Sequence, residues 1–531
     1  ALQPAELAFP SDATSRALLD FWRERDADTG ALRWTFKDEL FDGRLLGDLY
    51  QDLDPVVKER FALLQTPDFV LDFILDQTLT PAIAEFGIDH VRVLDPACGS
   101  GHFLLEAFRR LVAGMREAHP ERPLTAIVVH YRFVGFDLID YACGRARARL
   151  VMTALETLGS SQLADASRLH PEVYWADGLE QLEHDDRWQQ RGLAFEGASE
   201  EAPRASLTPI EIRERLRPHL EKGFHAVVGN PPYILERDPA KKAYHREKVG
   251  KNRRYVSAAG KYSLGAPFTE RMFQLAVEGG FVGQITANSF MKREYGKALI
   301  EEVLPRYALT KVVDTSGAYI PGHGTPTVLL FGRRLRSASA EIPVVMGKRG
   351  EPGKPDDPAT GRVWTSIVEA HDTPGFENEF VSVALVESEK LRTHPWSIGG
   401  GGAAELKEAI DSRGRSIDSL GAAIGFMSFP GADEVFVIPK KDARRLGVAD
   451  VAIADFITGE CVRDWALSPE GAIAPYDASF ELLPLEALGR GAEYLWRMRT
   501  SVLGTTDFGG LSRAEAGHQH WAWYRWQADR Y

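Results

Sequence analysis

At 531 residues the chain is longer than one hydrophobic core ordinarily supports, and 44% hydrophobic against 26% charged residues excludes a disordered or fibrous protein. A formal net charge of −13 excludes indiscriminate binding to a polyanion, although an average can hide a polarised surface. Three cysteines, Cys98, Cys143 and Cys461, exclude a disulfide framework and show no CxxC spacing of a zinc site, so no metal is expected and a reducing cytoplasm is the expected compartment.

In chain order, residues 1–90 read as helical. "SRALLDFWRER" and "TPDFVLDFILDQTL" carry apolar residues at three and four spacing, and Thr66 before Pro67 suits a helix start with the hydroxyl as cap. The opening "ALQPAELAFPSD" lacks the basic head and apolar core of a signal peptide, and no run approaches the roughly 18 apolar residues of a membrane span, so no membrane association is expected. From residue 91 short apolar strands alternate with helices: "VRVLD", "HFLLEAFRRLVAGM", "YRFVGFDLI", "VYWAD", "FHAVVGN", "FVGQITA", "KVVDT" and "TVLLFGRR". Such alternation predicts an α/β domain over 91–345 with a mostly parallel sheet covered on both faces. The charged stretch from about 183 to 222 reads as a helical insertion. Residues 346–394, rich in Gly, Pro and charge at their start, read as a connecting segment. Residues 395–531 form a further α+β region of weaker pattern. It ends in Trp521, Trp523, Tyr524, Trp526 and Tyr531, an aromatic cluster expected to need a partner surface, as in a chain whose C-terminal portion is missing.

Three strand ends carry candidate chemistry. In "VLDPACGSGHFLLEAF" Asp95 closes a strand, Gly99 and Gly101 flank Ser100, and a helix follows with Leu104, Phe108, Leu111 and Met115 on one stripe. Glycines there let a ligand approach the backbone near free helix amides. The third glycine of the dinucleotide fingerprint and the GK[ST] of a phosphate loop are both absent, so a ligand without phosphate, such as S-adenosylmethionine, fits better. Asp137 ends the next strand and can accept ribose hydroxyls, although its distance of 42 residues from Asp95 exceeds the roughly 20 of the fingerprint. Asp177 closes a third strand and can bond an adenine ring. A single strand-end Asp is ordinarily a turn former, whereas three on successive strands point to one ligand edge.

The fourth strand ends in "GNPPY". Pro231 and Pro232 fix the backbone and remove two amide donors, Asn230 adds an acceptor and Tyr233 a flat face. Acceptors beside a stacking surface suit the exocyclic amine of a nucleobase rotated out of its helix. From Arg237 to Lys261 nine Lys or Arg face two acids, a local balance of +7 that reads either as a solvated loop or as a phosphate-binding surface, with Lys251, Arg253 and Arg254 at its densest point.

"DPACGSG" followed by "NPPY" resembles the N6-adenine DNA methyltransferases. The order of "TP" segment, cofactor loop, catalytic tetrapeptide and recognition region resembles their gamma group, over about residues 45–335. The stretch from "LLGDLYQDLDPVVKERF" to "VLDPACGSGHFLLEAF" resembles more closely the PglX methyltransferases of phage-growth-limitation and BREX defence systems. The resemblance implies a Rossmann-like methyltransferase fold, with Thr66, Asp95, Ala97, Gly99 and Gly101 lining the S-adenosylmethionine pocket, Asp137 on the ribose and Asp177 on the adenine. It implies Asn230 and the Pro231 carbonyl on the target amine and Tyr233 stacked on the flipped base. It also implies double-stranded DNA and other defence proteins as partners, and an incomplete target-recognition domain over 395–531, where "GFMSFPGADEVFVI" resembles the opening of such domains. Alternatives are a protein-glutamine or RNA methyltransferase, and a DNA- and cofactor-sensing component with little activity of its own. Glu405 and Lys407 form the nearest nuclease-like ExK pair and have no Pro-Asp partner, so no nuclease activity is expected.

Overall fold

Runs of buried β-branched residues in short strands build one large sheet. A computed structural model describes residues 12–27, 29–33, 65–129, 133–160, 162–181, 209–249, 252–336, 339–398, 400, 403–415, 417–421, 428–463, 465–505 and 512–526. The chain divides into two units, residues 1–409 and 410–531.

In the first unit the described helices begin with α1 (Asp12–Arg23), α2 (Asp68–Asp76) and α3 (Leu79–Phe86). Strands β1 (Val93–Asp95), β2 (Phe133–Asp137) and β3 (Val173–Trp175) alternate with α4 (His102–Ala118) and α5 (Asp140–Thr157). After α6 (Pro209–Lys222) come β4 (Phe224–Gly229), α7 (Pro239–Arg246), α8 (Gly265–Leu275) and β5 (Ala276–Ala287), then β6 (Ala308–Asp314), β7 (Thr327–Arg333) and β8 (Glu341–Gly347). Helix α9 (Arg362–Ala370) and β9 (Val381–Glu387) complete the unit's main elements. The nine strands lie in the order β9-β8-β6-β7-β5-β4-β1-β2-β3. Strands β3, β2, β1, β4 and β5 are mutually parallel, β7 runs antiparallel between β5 and β6, and β9 is antiparallel to β8. The sheet is therefore mostly parallel with helices on both faces, as the alternating pattern requires. Consecutive residues feed opposite cores: Val93 packs with α4 and α5 on one face, Leu94 with α6 and α8 on the other.

Three local expectations change. Residues 66–79 do not form one helix, because the chain breaks at Gln77 and Thr78 between α2 and α3. Thr66 does not cap α2; Pro67 occupies the cap position with no side-chain cap bond, and the Thr66 hydroxyl is engaged elsewhere. Residues 346–394 are more than a connecting segment. After the Gly- and Pro-rich loop, Val363, Trp364, Ile367 and Ala370 bury one face of α9, and Val381 and Val383 enter the same core from β9.

The second unit has its own core around Val435, Phe436, Ile473, Leu488, Leu495 and Val502, the last two from α10 (Gly491–Gly504). The terminal aromatic cluster, expected to seek an outside surface, is satisfied here. Trp523 is buried and donates to the Ile473 carbonyl at 2.8 Å. Trp521 and Trp526 donate to Leu483 and Phe480, and Trp526 stacks on Tyr476 at 3.8 Å. Each indole N–H finds an acceptor, which is what lets so many large rings share one small core. Tyr531 lies outside the described residues.

Candidate active site at the carboxyl ends of the strands

Parallel pairing of β1 with β4, Val93 opposite Ala226 and Leu94 opposite Val227, delivers Asp95 and Asn230 to the same edge of the sheet. The approach is tight enough that a Cβ on Gly229 would lie 2.9 Å from Asp95 Oδ1, and one on Gly178, beside Asp177, would overlap the Pro96 carbonyl oxygen. Three strand ends thus converge on one corner, the crevice where open parallel sheets bind ligands.

Gly99 adopts a left-handed φ of +52°, and a Cβ there would meet nothing within 4 Å, so the loop opens onto space. Gly101, at φ +85°, serves packing instead: a Cβ would come within 2.9 Å of Ala146 on α5. Asp95 is 1% exposed, its Oδ1 accepts the Ala97 amide at 3.0 Å, and burial pushes its pKa up to about 8. Asp137 accepts two amides, Gly99 at 2.9 Å and Ile139 at 2.9 Å, and burial against those bonds sets its pKa at about 6. Asp177 accepts the Leu179 amide at 3.0 Å and the Lys241 ammonium at 2.8 Å. Carboxyl groups ringing an open glycine loop are an environment for hydroxyls and amines, and a poor one for phosphate.

At the neighbouring corner Asn230 Nδ2 lies 3.1 Å from Thr66 Oγ1 and 3.4 Å from His323 Nε2. His323 Nδ1 lies 3.1 Å from the Pro321 carbonyl, which can only accept, so the proton sits on Nδ1 and Nε2 is the acceptor. Burial lowers the pKa of His323, which favours the neutral ring. The Tyr233 ring stands 5.7 Å from that of His323 at 50°, and the Tyr233 hydroxyl is buried without a hydrogen-bond partner among the described residues. Pro231 is buried and Pro232 half-buried, holding Tyr233 rigidly off the strand. His323, in the loop between β6 and β7, was not among the residues singled out from sequence. A lone His in "YIPGHGTP" carries no motif spacing; only the glycines and prolines around it signal an ordered loop.

The basic segment departs from expectation at Arg254. Its side chain is 3% exposed, paired with Glu247 at 2.9 Å, bonded to Gln181 at 3.2 Å and seated over the Tyr244 ring at 4.1 Å. A guanidinium so enclosed pins α7 and the chain after it, and is not exposed to meet a phosphate. Lys241 is committed to Asp177, and Arg246 to the Ala258 carbonyl. Arg253 remains exposed on a short hairpin with Lys248, while Lys251 lies outside the described residues.

Comparison with known proteins agrees with this architecture. Residues 133–320 match the Eco57I restriction-modification methylase family. Adenine-specific methyltransferase PglX of Streptomyces coelicolor is 38% identical over 97% of this chain and 44% of its own length, and type II methyltransferase M.PaeR7I of Pseudomonas aeruginosa is 26% identical over 82% of this chain and 66% of its own. The chain thus spans less than half of the PglX relative. Among solved structures, the Type IIL restriction-modification enzyme MmeI in complex with DNA matches with a TM-score of 0.55 at 13% identity, over 97% of this chain and 62% of that one, a likeness of fold alone. The chain is thus similar over nearly its whole length to an adenine-specific methyltransferase, carries a segment that matches a restriction-modification methylase family, and shares the α/β fold of MmeI.

Proposed function

We propose that the chain methylates N6 of an adenine swung out of double-stranded DNA, drawing on S-adenosylmethionine in bacterial anti-phage defence in the cytoplasm. The observation that carries this reading is the junction of Asp95 with Gly229, which sets an open, carboxylate-lined glycine loop against a proline-stiffened corner bearing Asn230 and Tyr233. S-adenosylmethionine, when bound, supplies an electrophilic methyl carbon. Thr66, Asp95, Ala97 and Gly99 line its pocket while Gly101 seats the loop against α5, Asp137 takes the ribose hydroxyls with oxygens that already hold the Gly99 and Ile139 amides, and Asp177 takes the adenine end.

On the substrate side Asn230 Oδ1 and the Pro231 carbonyl accept the two hydrogens of the target amine. Two such bonds draw the nitrogen lone pair out of conjugation with the ring and aim it at the methyl carbon. Pro232 fixes the turn and Tyr233 stacks on the extruded base, replacing the stacking that the base leaves behind in the duplex. Arg253 and Lys251 contribute to backbone contacts; Arg254 does not. Tritiated methyl transfer to duplex DNA, RNA and protein tests the assignment, with N6-methyladenine read by mass spectrometry of digested DNA. Label on protein or RNA only, or no label despite binding of cofactor and DNA, overturns it.

A further inference from the structure

We infer that His323 is a positioning residue that fixes the side-chain amide of Asn230 in the orientation that presents its oxygen to the target amine. The inference rests on the adenine-methylation reading for its consequence, while its geometry stands apart from it. An asparagine amide has two ends of nearly equal size and opposite hydrogen-bonding sense, and a half-turn about the terminal torsion exchanges them. Presenting Nδ2 to a substrate amine would set donor against donor. The corner therefore needs something that reads which end is which.

Two acceptors do so. Thr66 Oγ1 takes one Nδ2 hydrogen at 3.1 Å and His323 Nε2 takes the other at 3.4 Å. Thr66 alone is an ambiguous reader, because a hydroxyl donates as readily as it accepts and would also satisfy Oδ1. His323 is not ambiguous. Its Nδ1 proton is committed to the Pro321 carbonyl, so a neutral ring offers only a lone pair at Nε2. Reversing the amide would place Oδ1 against that lone pair and cost a hydrogen bond in a site where burial makes an unmade bond expensive. The same ring stands against Tyr233, so one residue, 93 positions downstream of Asn230, sets the acceptor and backs the stacking face together. The carbonyl that sets the tautomer belongs to the same loop, two residues before the histidine, so a single short turn carries the device.

The test separates geometry from activity. Selective 15N labelling of histidine in the full chain reports the His323 tautomer without any turnover; the Nδ1–H form with an unprotonated Nε2 is expected, and the Nε2–H form would overturn the inference even if the protein methylates DNA normally. In kinetics, His323→Phe keeps a ring against Tyr233 and removes the acceptor. It should lower kcat about 100-fold, the scale of a misoriented catalytic group, with KM for DNA and cofactor affinity within about twofold. His323→Gln, which restores an acceptor, should recover most of the loss. Equal kcat in His323→Phe and the unmodified chain, or a loss in both variants accompanied by weakened cofactor binding, refutes positioning. An unmodified chain that labels no DNA refutes the adenine reading instead, and the tautomer then decides this inference alone.

Discussion

The corner at Asn230 and the basic segment that follows it are neighbours in sequence and opposite in how residue type maps onto role. At the corner, identity dictates geometry. Two prolines fix the backbone, a strand end fixes the location, and Asp95 lies against Gly229 because β1 and β4 pair in parallel. In the segment from Arg237 to Lys261, charge alone says little, because a cation can be taken up by internal partners. Arg254 is buried over Tyr244, Lys241 is held by Asp177 and Arg246 by a carbonyl, so a balance of +7 overstates what faces solvent. Backbone-restricting residues are read locally; long flexible cations are assigned only by their surroundings.

The most severe way to break the corner is Asn230→Ala. It removes the acceptor proposed for the target amine and should reduce methyl transfer at least about 1,000-fold, while cofactor affinity by calorimetry stays within a few-fold. Retained transfer would move the chemistry away from this corner altogether.

Asp95 sharpens the other half of the site through pH. Its native pKa of about 8 exceeds the ordinary 3.8, so between those values the folded chain holds a proton that the unfolded chain lacks. Stability is fully present below the ordinary value and is lost as pH rises toward 8, with a limiting slope of about 1.4 kcal/mol per pH unit. Asp95→Asn keeps an acceptor for the Ala97 amide and removes the titration. Denaturant unfolding at pH 6 and pH 8 should show a decline in the unmodified chain exceeding that in the variant by about 2 kcal/mol. Parallel curves would mean that the carboxylate finds compensation in the folded state.

How much was legible follows the same division. The strand ends, their aspartates and the glycine turn were readable because each announces itself within a few residues, by an apolar run that stops at a turn former. His323 was not, because its meaning arises from contact with Asn230 across the sheet edge. Helix α9 and strand β9 were hidden behind the Gly- and Pro-rich stretch before them, although the alternation Val381, Val383, Leu385 and the spacing of Val363, Trp364 and Ile367 were available signals. The tail aromatics misled in another way. Trp523 and Trp526 look like an unfinished surface in one dimension, yet Tyr476, Phe480 and Ile473, some fifty positions earlier, already supply it.

Arg254 and Arg253 put the contrast to a direct test with two adjacent, chemically identical residues. Arg254→Ala strips the guanidinium from the Tyr244 face and leaves Glu247 without its partner; it should lower unfolding stability by about 2 kcal/mol, discounted from a fully buried pair because Glu247 is 30% exposed. The slope of log affinity for duplex DNA against log salt should not change. Arg253→Ala should do the reverse at smaller scale, leaving unfolding within about 0.5 kcal/mol and reducing that slope by about 1, the amount expected for removal of one phosphate-neutralising cation. If both variants lower the slope alike, the packing of Arg254 does not persist in the DNA complex and charge count would have been the better guide. If neither does, the phosphate-binding surface lies outside this hairpin, and the exposed cations here belong to an ordinary solvated loop.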